Sequence, residues 1–288
     1  MDTTGNEPAV ATAPSRRLGT GWDPTILPWI DGQEVVLIAG DWHGTTAWAR
    51  RVAAAAADRG VRTIIQLGDL AVLWPGPDRF TLQLETALAD ADVRLVFIDG
   101  NHDSHNRLRE IPLGPDGFAR IDQHIWWAPR GHRWSWAGRA FGALGGAFSV
   151  DWRRRIEGLS FWAGIEEVDP RDIVRLGSQP LDVLLSHDAP LGGPLKGDFR
   201  LAPEDEHRSR RSRELVAQAV ENTRPTLAFH GHWHQRRTYD LVHADAPRSA
   251  VTTWTTRPPW LSVATSRTAN PGRSNSRDTA DLTLSGTT

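Results

Sequence analysis

Five stretches of apolar and β-branched residues recur along the chain, and a short polar cluster follows each one directly. The stretches have the near-continuous apolar pattern of strands buried on both faces of a sheet; they are Val35–Ala39, Val61–Leu67, Arg94–Ile98, Leu181–Leu185 and Thr226–Phe229. The clusters, in the same order, are Asp41-Trp42-His43, Gly68-Asp69, Gly100-Asn101-His102-Asp103, Ser186-His187-Asp188 and Gly231-His232-Trp233-His234. Ligand sites of open α/β sheets lie beyond the carboxyl ends of the strands, so we expect these clusters to meet at one edge.

That edge would bring together two Asp, one Asn and several His side chains. Carboxylate, amide oxygen and imidazole are suitable ligands for hard to borderline metal ions. The chain contains no cysteine, which excludes disulfides and thiolate metal sites. The sequence therefore predicts a hydrolase with a dinuclear metal site.

The rest of the chain predicts one domain between two irregular ends. Residues 1–33 are rich in Thr, Pro, Gly and Ala and predict a flexible leader, residues 34–245 form the domain, and the Thr-rich residues 246–288 predict a disordered tail. A frameshifted or truncated C-terminus is one hypothesis for that tail. Alternation of strands and helices predicts a parallel sheet, and short strands within residues 117–148 predict an antiparallel second one. Helices are predicted at Thr45–Arg59, Asp78–Asp90, Glu166–Leu176 and Glu204–Asn222.

Charge and hydropathy narrow the class of protein. The net charge of −2 provides no global positive field, so no strong affinity for nucleic acids or membranes is expected. The first thirty residues have no apolar core of the signal-peptide type, and nowhere do eighteen apolar residues follow one another. We therefore expect a soluble cytoplasmic protein; its oligomeric state is left open.

The ordered clusters D-x-H, G-D, G-N-H-D, a lone His and G-H-x-H resemble those of the calcineurin-like metallophosphoesterases, over roughly Val35 to Leu241. The resemblance implies an α/β fold of two facing mixed β-sheets flanked by helices. It also implies seven metal ligands. One metal ion would take Asp41, His43 and His234 together with Asp69; the other would take Asn101, His187 and His232 and share Asp69 as the bridge.

The resemblance implies a different role for His102, which would protonate the leaving oxygen or steady the transition state. A histidine suits this work because its pKa lies near the operating pH. Asp103 is predicted to be the second catalytic residue, orienting His102 by accepting a hydrogen bond, although Asp41 is an equally good partner.

The substrate is predicted from what the chain lacks and from one basic segment. The phosphoprotein phosphatase branch places Asp-Arg after its Gly-Asp and Arg before its Gly-Asn-His, whereas this chain has Leu70-Ala71 and Asp99 there. Small phosphodiesterases resemble it more closely. Of three consecutive arginines, Arg153 and Arg155 are candidates for substrate binding because guanidinium groups clamp phosphate; a solvated charged segment is the alternative.

We therefore expect a metal-dependent phosphoesterase that uses a metal-bridging hydroxide, most simply a phosphodiesterase acting on a small phosphoester or nucleotide-like substrate. The alternatives are a phosphomonoesterase and a catalytically silent metal-binding module. Two divalent ions are expected; Mn²⁺ is favoured, and Fe, Zn or Ni would also accept these ligands.

Overall fold

The computed structural model describes residues 35–195, 197, 200–243, 248–253, 261–265 and 282–286. The predicted leader, residues 1–33, lies outside the described residues. The strands, in chain order, are β1 (Val35–Ala39), β2 (Thr63–Gln66), β3 (Arg94–Phe97), β4 (Ala119–Arg120), β5 (Ile125–Trp127), β6 (Arg133–Trp136), β7 (Arg139–Leu144), β8 (Val183–Ser186), β9 (Leu227–His230), β10 (Arg237–Val242), β11 (Arg248–Thr253), β12 (Leu261–Thr265) and β13 (Leu282–Gly286).

The strands form two mixed sheets, which confirms the predicted fold class. The first has the spatial order β13-β12-β1-β2-β3-β5-β4 and the second the order β10-β11-β9-β8-β7-β6. In the first sheet, β1, β2, β3 and β5 run parallel; in the second, β7, β8, β9 and β11 do. The parallel strands therefore point their carboxyl ends toward a common edge within each sheet.

Successive rows of the parallel register face opposite sides of the first sheet. Ile38, Ile65, Val96 and Trp126 form one row, and they pack with Phe141, Leu185 and Phe229 of the second sheet in one buried cluster. The neighbouring row, Leu37, Ile64, Leu95 and Ile125, packs on the outer face with apolar residues of the first two helices. This alternation follows from the two-residue period of a strand, and it places the core between two facing sheets.

Five helices cover the outer faces: α1 (Thr46–Ala57), α2 (Arg79–Ala91), α3 (His105–Glu110), α4 (Pro170–Leu176) and α5 (Pro203–Thr223). α2 begins where predicted, because the Asp78 side chain accepts a hydrogen bond from Thr81 N. α4 begins four residues later than predicted. Asp169 and Asp172 form a reciprocal capping box at its start, whereas Glu166 is buried and lies outside the helix.

Two further expectations are corrected by the strand pairing. Residues 117–148 do not form one antiparallel second sheet, because β4 and β5 belong to the first sheet and only β6 and β7 belong to the second. The predicted disordered tail contains three strands: β11 pairs with β9, β12 pairs with β1, and β13 pairs with β12. The sheets therefore extend beyond residue 245, and the remainder of residues 246–288 lies outside the described residues.

Candidate metal centre

The five polar clusters meet at the carboxyl ends of β1, β2, β3, β8 and β9, where backbone hydrogen bonds join their loops. Asp41 N donates to Gly68 O at 3.1 Å, His43 N to Asp69 O at 2.8 Å, and Gly231 N to His187 O at 3.1 Å. A glycine is required where two of these loops touch: a Cβ at position 100 would lie 2.2 Å from Asp69 Oδ1. The loops are thus fixed against one another by main-chain contacts.

The side chains on these loops form two groups. Within each group, the ligand atoms all lie within 4.8 Å of one another. Asp41, His43 and His234 make the first group, and Asp69, His187 and His232 make the second. Asp69 belongs to the second group and also approaches the first, with Oδ2 3.7 Å from His43 Nε2 and Oδ1 3.3 Å from His187 Nε2. This placement suits the predicted shared ligand, and the sharing stays a prediction.

Asn101, the seventh predicted ligand, joins the second group. Its Oδ1 lies 3.1 Å from His187 Nε2, and its Nδ2 donates to Ser149 Oγ at 2.9 Å. The hydroxyl of Ser149 thus directs the amide oxygen toward the metal site. The structure brings all seven predicted ligand residues together, and their coordination of metal stays a prediction.

The donor atoms fit divalent cations. Asp41 Oδ2 is buried and has no hydrogen-bond partner among the described residues, which is costly unless a cation lies beside it. His187 Nδ1 lies 2.6 Å from the Leu67 carbonyl oxygen; a carbonyl only accepts, so Nδ1 donates and Nε2 is left as the ligand atom. Such an outer hydrogen bond is typical of metal-binding histidines.

The backbone of the ligands is strained. Asp41, His43, Asp69, His232 and His234 all have positive φ angles, between 45° and 66°. Residues other than glycine seldom adopt this left-handed backbone conformation. It is concentrated at functional sites, where the surrounding structure enforces it. Here the strain turns five ligand side chains toward one another.

Burial and neighbouring charges shift the titration of this group strongly. Burial raises the pKa of Asp41 to about 7. Burial opposes a charge on His187, but the adjacent Asp69 carboxylate outweighs it and raises the pKa of His187 to about 10. Asp69 responds in the opposite sense: burial disfavours its charge, yet His187 holds its pKa well below the ordinary value. The centre therefore favours positive charge close to Asp69.

His102 lies beside the first group without belonging to it. Its ring packs edge-on against His43 with the ring centroids 5.4 Å apart, and its Nε2 lies 3.7 Å from Asp151 Oδ1. Burial lowers the pKa of His102, and Arg155 lowers it further against the opposing effect of Asp69. The role of His102, as proton donor or as support for the transition state, stays a prediction.

The prediction that Asp103 or Asp41 orients His102 is wrong. Asp103 accepts three backbone hydrogen bonds, from Asp69 N at 3.0 Å, Gly100 N at 2.7 Å and Ala71 N at 2.7 Å. It is fully buried, and burial raises its pKa to about 7. Asp103 therefore ties the loops after β2 and β3 together. Asp41 is engaged elsewhere, since its Oδ1 accepts from His232 N.

Of the two arginines predicted to bind substrate, the structure brings one to the site. Arg155 contacts His102 and forms an ion pair with Glu166. Arg153 is turned away: it pairs with Asp205 and Glu204 of α5 and lies over the Trp152 ring. A short 3-10 helix at Trp152–Arg154 separates the directions of the two side chains.

Sequence reasoning missed Ser149, Asp151 and Glu166 at this site. Ser149 donates to Glu166, which also accepts from Trp162 N at 3.0 Å. Ser149 and Asp151 carry no local motif, and the two consecutive acids at positions 166–167 look like a helix start. A signal was available in residues 149–155, where Ser, Asp and Arg occupy every second position and could share one side of the segment.

Comparisons with known proteins agree with this architecture. Residues 35–236 match the family model described as "Calcineurin-like phosphoesterase". Among solved structures, a dimetal phosphatase from Danio rerio is similar at 13% identity and a TM-score of 0.50, over 80% of this chain and 92% of that chain. TT1561 of Thermus thermophilus is similar at 16% identity and a TM-score of 0.48, over 77% and 90%. No curated protein sequence matches this chain.

The likeness to the Danio rerio structure concerns the fold. Within the part of the chain that the structure describes, no helix combines the length and the apolar character needed to cross a membrane.

Proposed function

The chain belongs to the calcineurin-like phosphoesterase family, and from that membership together with the site geometry we propose that it is a metal-dependent phosphodiesterase acting on a small or nucleotide-like phosphoester. The observation that carries the proposal is that Asp69, a member of the second group of ligand atoms, approaches a histidine of each group with one of its two carboxylate oxygens. A carboxylate in this position suits a pair of divalent ions. Mn²⁺ is the favoured metal, with Fe, Zn and Ni as alternatives.

Each residue of the site has its own role in the proposed hydrolysis. Two bound divalent ions would supply positive charge to the phosphoryl oxygens and acidify a water molecule. One ion would be held by the first group and the other by Asn101, His187 and His232. Asp69 would be shared by both ions. His102, half-buried beside His43, would donate a hydrogen bond from its Nε2–H to the leaving oxygen and so steady the transition state, and Arg155 would keep its ring oriented.

The charge around His102 favours a diester over a monoester. A phosphomonoester carries up to two negative charges, and its recognition calls for uncompensated cations such as a bidentate arginine. Arg155 is the guanidinium in hydrogen-bonding contact with His102, and its charge is paired with Glu166, whose side chain is 2% exposed. Arg79 lines the adjoining cavity from an exposed position at the start of α2. A singly charged diester therefore fits better. The phosphomonoesterase is the second candidate, and a silent metal-binding module is the third.

Hydrolysis of two chromogenic esters tests the proposal. Bis(p-nitrophenyl) phosphate and p-nitrophenyl phosphate are compared in EDTA and after Mn²⁺ is restored, with Fe²⁺, Zn²⁺ and Ni²⁺ in parallel. We expect turnover that requires metal, prefers the diester, and is lost in Asp69→Asn. Asp90→Asn, an exposed substitution on α2, is the matched control and should retain full activity.

Each other outcome points to one alternative. Preference for the monoester would favour the phosphomonoesterase. Absence of turnover with all four metals, in folded protein that holds two ions by elemental analysis, would favour the binding module.

A further inference from the structure

A cavity of about 360 Å³ opens beside His43 and His102. Its walls are largely apolar and come from the loop after β2 and the start of α2: Trp74, Pro75, Pro77 and Phe80. The volume lies in the range of small-molecule sites, which are typically apolar with a few polar groups at one end. Here the polar groups are the two histidines of the candidate centre on one side and Asp78 and Arg79 at the start of α2 on the other.

The loop that carries Trp74 is held in a strained conformation. Ala71 and Leu73 have φ angles of 68° and 56°, in the left-handed region that non-glycine residues seldom adopt. Three hydrogen bonds enforce it: Ala71 N donates to Asp103, Leu73 N donates to Thr81 Oγ1 at 3.0 Å, and Arg107 Nη1 donates to Leu73 O at 3.0 Å. A loop constrained in this way presents a fixed surface, and such strain is typical of functional segments.

The two aromatic side chains of the cavity wall, Trp74 and Phe80, pack against other residues of the protein. Trp74 packs edge-on against Trp162, with ring centroids 5.7 Å apart and an interplanar angle of 90°, and Trp162 is 2% exposed. Phe80 packs on the outer core cluster of the first sheet. Both rings therefore have little freedom to move, so a ligand would lose little binding free energy to ordering them.

We propose that this Trp74 cavity (Trp74, Pro75, Pro77 and Phe80) binds a flat aromatic group of the phosphoester, on the side of the leaving oxygen. The inference rests on the proposed function, because it places the phosphoryl group at the metal ligands and the leaving oxygen at the Nε2–H of His102. A group attached to the oxygen that His102 faces would enter the space that His102 lines. Apolar burial and ring-to-ring contacts would favour an aromatic group there over a small alkyl group.

Two phosphonates with the same charged head group separate the cavity from the metal centre. Phenylphosphonate and methylphosphonate are titrated calorimetrically into the full-length Mn²⁺-loaded protein. We expect phenylphosphonate to bind about 10- to 100-fold more tightly. Trp74→Ala should remove most of this preference while leaving the affinity for methylphosphonate within about twofold, and Trp74→Phe should restore part of it.

Leu82→Ala is the matched control, because Leu82 is an exposed apolar residue of α2, 51% exposed, that does not line the cavity. Its phosphonate preference should equal that of the wild-type protein. Thermal unfolding of Trp74→Ala checks that the variant folds, and Phe80→Leu gives an independent test of the opposite wall.

The outcomes distinguish the two proposals. Equal affinity for both phosphonates in the wild-type protein would overturn the aromatic subsite and leave the phosphoryl site standing. If neither phosphonate binds to protein that holds metal and bis(p-nitrophenyl) phosphate is not hydrolysed, the proposed function fails as well; if the diester is still hydrolysed, the aromatic subsite alone is overturned. Adenosine 5′-monophosphate is a third ligand. Tight binding that Trp74→Ala abolishes would support a nucleobase as the aromatic group, whereas binding no tighter than that of methylphosphonate would support a simple aryl ring.

Discussion

Arg155 Nη1 lies 2.8 Å from His102 Nδ1. A guanidinium only donates hydrogen bonds, so Nδ1 must be the accepting nitrogen and the neutral ring carries its proton on Nε2. The same guanidinium also forms an ion pair with the buried Glu166. Arg155 therefore fixes both the orientation and the tautomer of His102, and it leaves a donor on the nitrogen that faces away.

Replacing Arg155 by methionine should impair turnover more than metal binding. His102 would lose the partner that selects its tautomer and aligns its Nε2–H, and misaligning a donor that steadies the transition state should cost about 10- to 100-fold in kcat, somewhat less than removing such a donor. The metal content should change little, because Arg155 reaches the ligand residue Asn101 only at its backbone carbonyl and through Ser149 Oγ, and Ser149 keeps its hydrogen bonds to Asn101 and Glu166. Steady-state kinetics and elemental analysis on the same sample check both statements.

Arg153→Met is the matched control, since Arg153 lies on the same loop but pairs with Asp205 of α5. It should retain kcat within about twofold, because the Arg153 side chain is 48% exposed and its contacts are with Asp205, Glu204 and Trp152, away from His102. The double variant Arg155→Met/Glu166→Gln separates catalysis from the cost of an unpaired buried carboxylate. Equal losses in the two single variants would contradict the special role of Arg155.

The strands and the order of the clusters could be predicted because the information is local. Val35–Ala39 is predicted at its observed bounds, and the runs around β2, β3, β8 and β9 differ from the observed strands by only a few residues. A strand buried on both faces must be apolar throughout, and its carboxyl end must carry whatever polar residues the site uses. These constraints act on consecutive residues, so they can be recognised in the sequence alone.

The errors arise where partners distant in sequence decide the outcome. Glu166 resembles a helix start, yet the ion pair with Arg155 draws it into the site. The Thr-rich stretch at β11 has no periodic apolar pattern, yet it gains a full partner strand in β9. Arg153 and Arg155 look equivalent in sequence, and only the turn between them sends one to His102. In each case the local sequence does not specify the partner, which is distant along the chain.

The two ligand groups should lose metal separately. His234→Ala removes a ligand atom of the first group and His187→Ala one of the second, so each variant should bind about one metal ion where the wild-type protein binds two. His234 has a side chain that is 50% exposed, whereas that of His187 is fully buried. We therefore expect His234→Ala to keep its unfolding temperature and His187→Ala to lower it. Elemental analysis and calorimetry test this, with His207→Ala on α5 as the control; loss of both ions in both variants would argue for one coupled site.

Asp103→Ala should act on the architecture of the site. The substitution leaves the buried N–H groups of Asp69, Gly100 and Ala71 without their acceptor, which should lower the free energy of unfolding by about 3 kcal/mol. Metal affinity should fall at least about tenfold because two ligand loops lose their connection. At saturating metal, kcat should recover. Asp116→Ala, which removes a single turn hydrogen bond, is the control, and a kcat deficit that metal cannot restore would return Asp103 to a catalytic role.

His105 lies behind the site in a cluster that limits its protonation. It is 2% exposed, its Nδ1 lies 3.6 Å from Asp99 Oδ2, and its Nε2 has no hydrogen-bond partner among the described residues. Burial, reinforced by Arg130 and opposed by Asp99, lowers the pKa of His105 to about 3. The residue is therefore a packed neutral histidine and not a substrate contact.

That neutral histidine should make the fold sensitive to acid. In the unfolded chain its pKa is about 6.5, so between pH 6.5 and the lowered folded value the unfolded state binds the extra proton. The stabilising contribution is fully present above pH 6.5 and is lost as the pH falls, by on the order of 3 kcal/mol at pH 4. His105→Gln should reduce the slope of unfolding free energy against pH by up to about 1.4 kcal/mol per pH unit in that window. Denaturant unfolding in EDTA excludes metal release, and His207→Gln, exposed on α5, should leave the slope unchanged; an unaltered slope in His105→Gln would mean that His105 is already protonated in the folded protein.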